Sequence, residues 1–306
     1  MKELRKILYF SLLCMAMIAC GSDNNDDGTG GGGNDANINK NVVTSDKAVT
    51  RLEFPRVKGG NSVVLVYRTG STEFDNDKVN FCVEWDKDKK SQRWTCYQMH
   101  TGYKGNYNRV VDGYMNDTQL PKGSYYEKDY YYGSGFQHGH ICPNADRTFN
   151  YDANYQTFYL TNMQPQYPRF NGYSNSGSNR GEGLWLRLED KVRGWSPKVK
   201  TDTLYICKGG VIDNENDYIG KIDGKLIVPR HFFMACLLKE GSTYRAIGFY
   251  MEQKNQWATN DNLADYAVSI DKLEELTGID FFCNLPDEKE NEVERNLAYK
   301  VWGLSK

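Results

Sequence analysis

The 306-residue chain lacks any excess of positive charge: 38 basic side chains face 40 acidic ones, a formal net charge of −2. Residues 1–47 hold five of the basic and six of the acidic groups, so the remainder carries 33 against 34. Proteins that grip a polyanion tightly are normally basic over the binding domain. That class is excluded, and attraction for phosphate has to come from a local cluster. The chain also lacks a long apolar run near its start. Ile7–Ala19 is only 13 residues, too short to span a bilayer comfortably. There is no internal repeat, which argues against solenoids and propellers. Away from Cys14 and Cys20, the cysteines at 82, 96, 142, 207, 236 and 283 follow no zinc-ribbon spacing. Histidine is scarce, with four in all, so the position of each is informative.

What is present at the start is a targeting pattern. Lys2, Arg5 and Lys6 precede the apolar run, as in the core of a signal peptide spanning residues 1–19. Met17-Ile18-Ala19-Cys20 resembles a bacterial lipobox, which implies cleavage before Cys20 and lipid on that residue. The bland alternative is an ordinary signal peptide with an unused cysteine. Residues 20–47 are rich in Gly, Asn and Asp and have no apolar period. Such a composition cannot bury enough surface to offset its ordering entropy and suits a flexible tether. Ser22-Asp23-Asn24-Asn25-Asp26-Asp27 resembles the acidic export signal of Bacteroidetes lipoproteins. Together these features lead us to expect an exported lipoprotein of the outer membrane or cell surface, meeting the membrane through Cys20. Residues 48–306 are long enough for one sizeable domain.

The most informative stretch is Phe136–Arg147, which holds two of the four histidines. Along a strand, His138, His140 and Cys142 share one face, and Gly139 lets a ligand or a second backbone come close. Two imidazoles beside a bare backbone suit a site that handles protons, phosphate or metal. A soft-metal site for zinc or copper at His138, His140 and Cys142 is one reading. A polar edge strand with satisfied histidines is another.

The order of further motifs is more specific. Gly139-His140, Ala145-Asp146-Arg147, Thr161-Asn162-Met163-Gln164-Pro165-Gln166, Phe170-Asn171 and Trp185-Leu186-Arg187-Leu188-Glu189 follow one another. This order resembles the DNA/RNA non-specific endonucleases of the ββα-metal class. Lys208-Gly209-Gly210, Val228-Pro229-Arg230-His231-Phe232-Phe233 and Leu276-Thr277-Gly278-Ile279-Asp280-Phe281-Phe282 extend the likeness over roughly residues 50–290. There are two departures. The family's Asp-Arg before Gly-His is Gln137-His138 here, and the gap between Asn and Trp is lengthened by Gly172–Leu184.

The resemblance implies an α+β fold, a central antiparallel or mixed sheet carrying a ββα-metal finger. It implies hydrolysis of phosphodiester bonds in DNA and RNA with Mg²⁺, or Mn²⁺ or another divalent cation. His140 would be the general base, a task that suits a neutral imidazole. Asn171 would hold the metal, with Asn179 as competitor; one amide oxygen suits a hydrated Mg²⁺. Glu189 would orient waters around the metal and Arg193 would meet the phosphate. On a helix these two lie four apart on one flank of a stripe formed by Leu184, Trp185, Leu188, Val192 and Trp195. An i,i+4 surface ion pair is the plain alternative. His138, in place of the family's Arg, and Arg147 are the expected substrate contacts. Loss of the Asp-Arg pair also admits a catalytically impaired surface protein that only binds nucleic acid.

Strand-forming residues predict strands over Ser62–Arg68, Asn80–Trp85, Arg93–Met99, Phe136–Cys142 and Thr157–Met163, and later over Thr203–Cys207, Lys225–Val228, His231–Leu238 and Tyr244–Met251. Helices are predicted over Gly183–Trp195 and Leu263–Leu276, the latter closed by Gly278. Cys82 and Cys96 could face each other across a hairpin. The tyrosines of Tyr125–Tyr132 could stack on bases or pack a strand edge.

Overall fold

The computed structural model describes residues 36–70, 78–172 and 183–306. The expected signal peptide, Cys20 and Asn179 lie outside these residues. The body is built on a seven-stranded antiparallel sheet. Its strands are β1 (Ser62–Arg68), β2 (Val79–Asp86), β3 (Ser91–Met99), β6 (Thr203–Gly210), β9 (His231–Glu240), β10 (Thr243–Glu252) and β11 (Ala267–Val268), neighbours in that order. Two hairpins stand outside the sheet. One pairs β4 (Gln137–His140) with β5 (Met163–Gln166), and the other pairs β7 (Tyr218–Ile222) with β8 (Leu226–Pro229).

The central strands are apolar on both faces, as strands covered on two sides must be. In β9, Phe232, Met234 and Cys236 pack on one face, while Phe233, Ala235 and Leu237 pack on the other. The first face is covered by α3 (Leu184–Arg193) through Leu184, Trp185, Leu188 and Val192. The second is covered by α4 (Ile270–Thr277) and α5 (Asp287–Arg295) through Ile270, Leu273 and Val293. Short helix α1 (Tyr151–Gln156) lies in the connection between β4 and β5, and α2 (Pro168–Asn171) follows β5. The α+β architecture with a central antiparallel sheet is therefore as expected from the sequence.

Several boundaries differ. The strand expected over Thr157–Met163 begins only at Met163, because Asn162 uses its side chain to cap other backbone groups. The helix expected from Leu263 starts at Ile270, with Ser269 accepting from the Lys272 amide as its N-cap. Residues from Asn37 onward are no free tether. The Asn37 amide donates to the Cys283 and Leu285 carbonyls, and the buried Asn41 amide donates to the Val49 and Pro55 carbonyls. Asparagine supplies local donors and acceptors that composition alone reads as linker. Cys82, Cys96 and Cys207 lie side by side across β2, β3 and β6, and all are buried free thiols.

Candidate active site

The hairpin β4–β5 and helix α3 form a ββα unit, and the chain's motifs tie it to the main sheet. Gln164 receives the Gly210 amide at 2.6 Å and donates to the Gln92 carbonyl at 3.1 Å. Thr161 donates to Asp117 at 2.9 Å, and Asn162 accepts from the Cys142 amide at 2.8 Å while donating to the Cys142 and Thr157 carbonyls. All three side chains are buried, so each bond also removes a desolvation cost. Gly139 is needed because a Cβ there would fall 2.3 Å from the Gln166 side chain. A side chain, rather than a ligand or second backbone, fills that space. Gly172 and Gly183 abut, with a Cβ on Gly183 only 2.2 Å from the Gly172 Cα. That contact keeps α2 beside α3.

A cleft of about 880 Å³ opens at this unit, and its lining includes Arg109, Gln137, His138, His140, Asn171, Glu189 and Arg193. His140 is half-buried and its Nε2 has no hydrogen-bond partner. Burial, then the positive charge of Arg109, push its pKa down to about 3. The ring is neutral near pH 7 and able to accept a proton. Asn171 donates from Nδ2 to Gln137 Oε1 at 2.9 Å, which leaves its oxygen as the group available to a cation.

Glu189 is buried, and one carboxylate oxygen sits 2.5 Å from Lys208 Nζ. Lys208 is wholly buried beneath α3, its ammonium 4.6 Å from the centre of the Trp185 ring. Burial raises the Glu189 pKa, opposed by Lys208 and Arg193. Arg193 is no simple surface partner for Glu189. Its Nε donates to Asp146 at 2.6 Å, and Nη1 donates to Asp190. Burial disfavours its charge, but Asp146, Glu189 and Asp190 outweigh that and hold it cationic. Its Nη2 is buried and unpartnered. Two orphaned polar atoms in one cleft, one acceptor-capable and one donor, suit a ligand that carries oxygens and negative charge. Asn171 and Glu189, both oxygen donors, fit a hard cation that keeps most of its water.

Three sequence expectations are corrected. Cys142 does not share a face with the histidines. β4 ends at His140, the chain turns toward Pro143, and Cys142 enters the core. Among the described residues, His138, His140 and Cys142 form no clustered ligand set, so the soft-metal reading has no site. Arg147 is fully buried, donates to the Asp146 and Gln98 carbonyls and lies over the Tyr97 and Tyr103 rings. It is absent from the cleft lining, so it supports the scaffold and not a substrate. His138 reaches the cleft but is caged. Its ring lies between Tyr114 and Tyr131, with centroids 3.6 and 4.1 Å away, and Nε2 is 2.8 Å from Asp129. Burial lowers its pKa despite Asp129, so it is no substitute for a guanidinium fork.

Arg109 is the residue that sequence reasoning missed. It sits in the irregular stretch after β3, lines the cleft, lies over the Phe158 ring and acts on His140 through its charge. No periodicity or motif marks it.

A sequence profile of the DNA/RNA non-specific endonuclease family matches residues 61–288. The chain belongs to the DNA/RNA non-specific endonuclease family. It is 30% identical over 229 residues to a nuclease of Nostoc sp., a match covering 72% of this chain and 77% of that one. It is 25% identical over 222 residues to the mitochondrial nuclease EXOG of Xenopus laevis, covering 69% and 59%. The mitochondrial nuclease of Saccharomyces cerevisiae is 32% identical over 173 residues, covering 52% and 50%. The crystal structure of the EndoG/EndoGI complex contains a chain with the same fold, at TM-score 0.59 and 16% identity, covering 81% of this chain and 96% of that one. The protein is accordingly a nuclease, a phosphodiester hydrolase of a family dependent on divalent metal.

Proposed function

We propose that this endonuclease cleaves DNA and RNA with little sequence preference, using His140 as general base and one hydrated divalent cation, Mg²⁺ in the first instance, held by Asn171. The observation that carries the reading is the neutral His140, its Nε2 unpartnered, in the same cleft as Asn171 and the charged Arg193. His140 takes the proton from the attacking water. Asn171 offers its amide oxygen to the cation, and Gln137 keeps that amide turned. Glu189, pinned by Lys208, would help order water around the cation. The cation, when bound, offsets the charge that builds on the phosphate oxygens. Arg193 and Arg109 donate to the phosphate, and Arg109 takes the part left open where the family's Arg has become His138.

The impaired-binder alternative loses weight on this reading, because the missing guanidinium has a replacement in the same cleft. The proposal extends to the start of the chain. Residues 1–19 are read as a signal peptide and Cys20 as a lipidated anchor, placing the nuclease domain outside the cell, as an outer-membrane or cell-surface lipoprotein. Cys20→Ser should abolish labelling by fatty acid, and retained labelling would remove the anchor.

A plasmid-nicking assay tests the site. Wild type should nick with Mg²⁺ and stop with EDTA. His140→Ala should lose activity by about 10²–10⁴-fold, the usual span for a general base. Raised Mg²⁺ should restore part of the loss in Asn171→Ala and none in His140→Ala. If instead Asn179→Ala shows the metal-dependent defect and Asn171→Ala behaves as wild type, Asn179 is the ligand. Full Mg²⁺-dependent cleavage by all three variants would refute the site.

A further inference from the structure

On the face of the sheet opposite the cleft, α4 and α5 bring Asp271, Glu274 and Glu294 together. One carboxylate oxygen from each lies within 4.8 Å of the others. That is the spread expected of oxygens about 2.4 Å from one central ion. We propose that these three residues form a Ca²⁺ site, distinct from the catalytic centre, that clamps α4 to α5.

Glu294 is the decisive member. It is only 8% exposed, and its Oε1 is enclosed with no hydrogen-bond partner. A carboxylate oxygen buried without a donor carries a full desolvation cost, unless something positive reaches it. No lysine or arginine among the described residues does so. Lys272 pairs with Glu275 at 2.7 Å and Lys289 with Glu292 at 2.9 Å, both on the solvent side. The adjoining acids Glu290 and Asp280 take the Asn39 amide, which leaves nothing for Glu294. Glu274 accepts the Phe281 amide at 2.7 Å with one oxygen, so its carboxyl is held in place with a second oxygen to offer. Asp271 is exposed and gives an entry path.

The donor set decides the ion. Three carboxylates are hard ligands, which excludes the soft metals. They come from two helices, and a set made only of carboxylates suits the larger, more tolerant Ca²⁺ better than Mg²⁺, which keeps several of its waters.

The test is thermal unfolding of the full chain in chelator, in millimolar Ca²⁺ and in millimolar Mg²⁺. Wild type should gain on the order of 5 °C in Tm with Ca²⁺ and less with Mg²⁺. Asn171→Ala should keep that gain, which separates this site from the cleft. Asp271→Asn, at an exposed position, and Glu294→Gln should melt cooperatively in chelator and show no Ca²⁺ response. Calorimetric titration should find Ca²⁺ bound in wild type and not in Asp271→Asn. The proposal is overturned if Ca²⁺ leaves the wild-type Tm unchanged, if Asp271→Asn keeps the full rise, or if the rise vanishes in Asn171→Ala.

Discussion

Gln137 Oε1 accepts a hydrogen bond from Asn171 Nδ2 at 2.9 Å, joining β4 to the short helix that carries the amide proposed to hold the metal. The family pattern has an aspartate at this position. Glutamine still offers a carbonyl oxygen, so the amide of Asn171 keeps one orientation.

Removing that contact should loosen the metal site and leave the fold intact. Gln137→Ala should lose about 10- to 100-fold in metal affinity, the usual effect of a supporting hydrogen bond. Activity measured against Mg²⁺ concentration reads this directly. An unchanged Mg²⁺ midpoint in Gln137→Ala would show that Asn171 needs no such support.

The depressed pKa of His140 fixes a pH dependence. A base with a pKa of about 3 stays neutral across the mildly acidic range. The acid limb of kcat/KM should therefore fall well below the ordinary histidine value of about 6.5. Stability has the same sign. The unfolded chain binds the proton between about 6.5 and 3 and the folded chain does not, so this contribution is present above the unfolded pKa and is lost as pH falls through that window. His140→Gln should lessen acid destabilisation there, as read by urea unfolding at several pH values.

His138 is a structural wedge between two tyrosines. His138→Phe should keep the stacking but leave Asp129 Oδ2 without its partner, costing about 1–3 kcal/mol in denaturant unfolding. Cleavage by the folded variant should stay within a few-fold of wild type. A 100-fold fall in kcat/KM with stability unchanged would restore His138 to direct substrate contact.

Lys208 and Glu189 form a buried pair beneath α3. Lys208→Met removes the stronger of the two cations that offset the buried Glu189 charge, so it should destabilise by about 3–5 kcal/mol. Adding Glu189→Gln should recover much of that stability and none of the activity. Equal losses in the single and double variants would show that the pair is not coupled.

With a near-neutral domain and Arg109 and Arg193 as the cations in the cleft, few counter-ions are displaced on binding. Affinity for catalytically inert substrate should fall gently with salt. A log–log slope as steep as about −6 would demand a basic groove elsewhere on the surface.

Much was determined by the sequence alone, for a local reason. Runs rich in Val, Tyr and Trp marked β1 and the long strands, since such side chains fit a pleated, packed surface. The 3.6-residue stripe placed Leu184, Trp185, Leu188 and Val192 under α3 and set Glu189 and Arg193 on its flank. The spaced motifs ordered His140, Asn171 and Glu189 as candidates for one site, and the family match agrees with the motif reading. What only the tertiary structure decided depends on neighbours distant in the chain. Arg147 and Arg193 look alike in sequence, yet one is sealed over Tyr97 and the other meets Asp146 at the cleft. His138 and His140 sit two residues apart, yet Tyr114, Tyr131 and Asp129 enclose the first, while Nε2 of the second has no partner. Arg109 carries no local signature, and it reaches the site only because the irregular stretch after β3 folds back over β4. A residue's type states what it can donate or accept; packing sets its charge, its partners and its access to water.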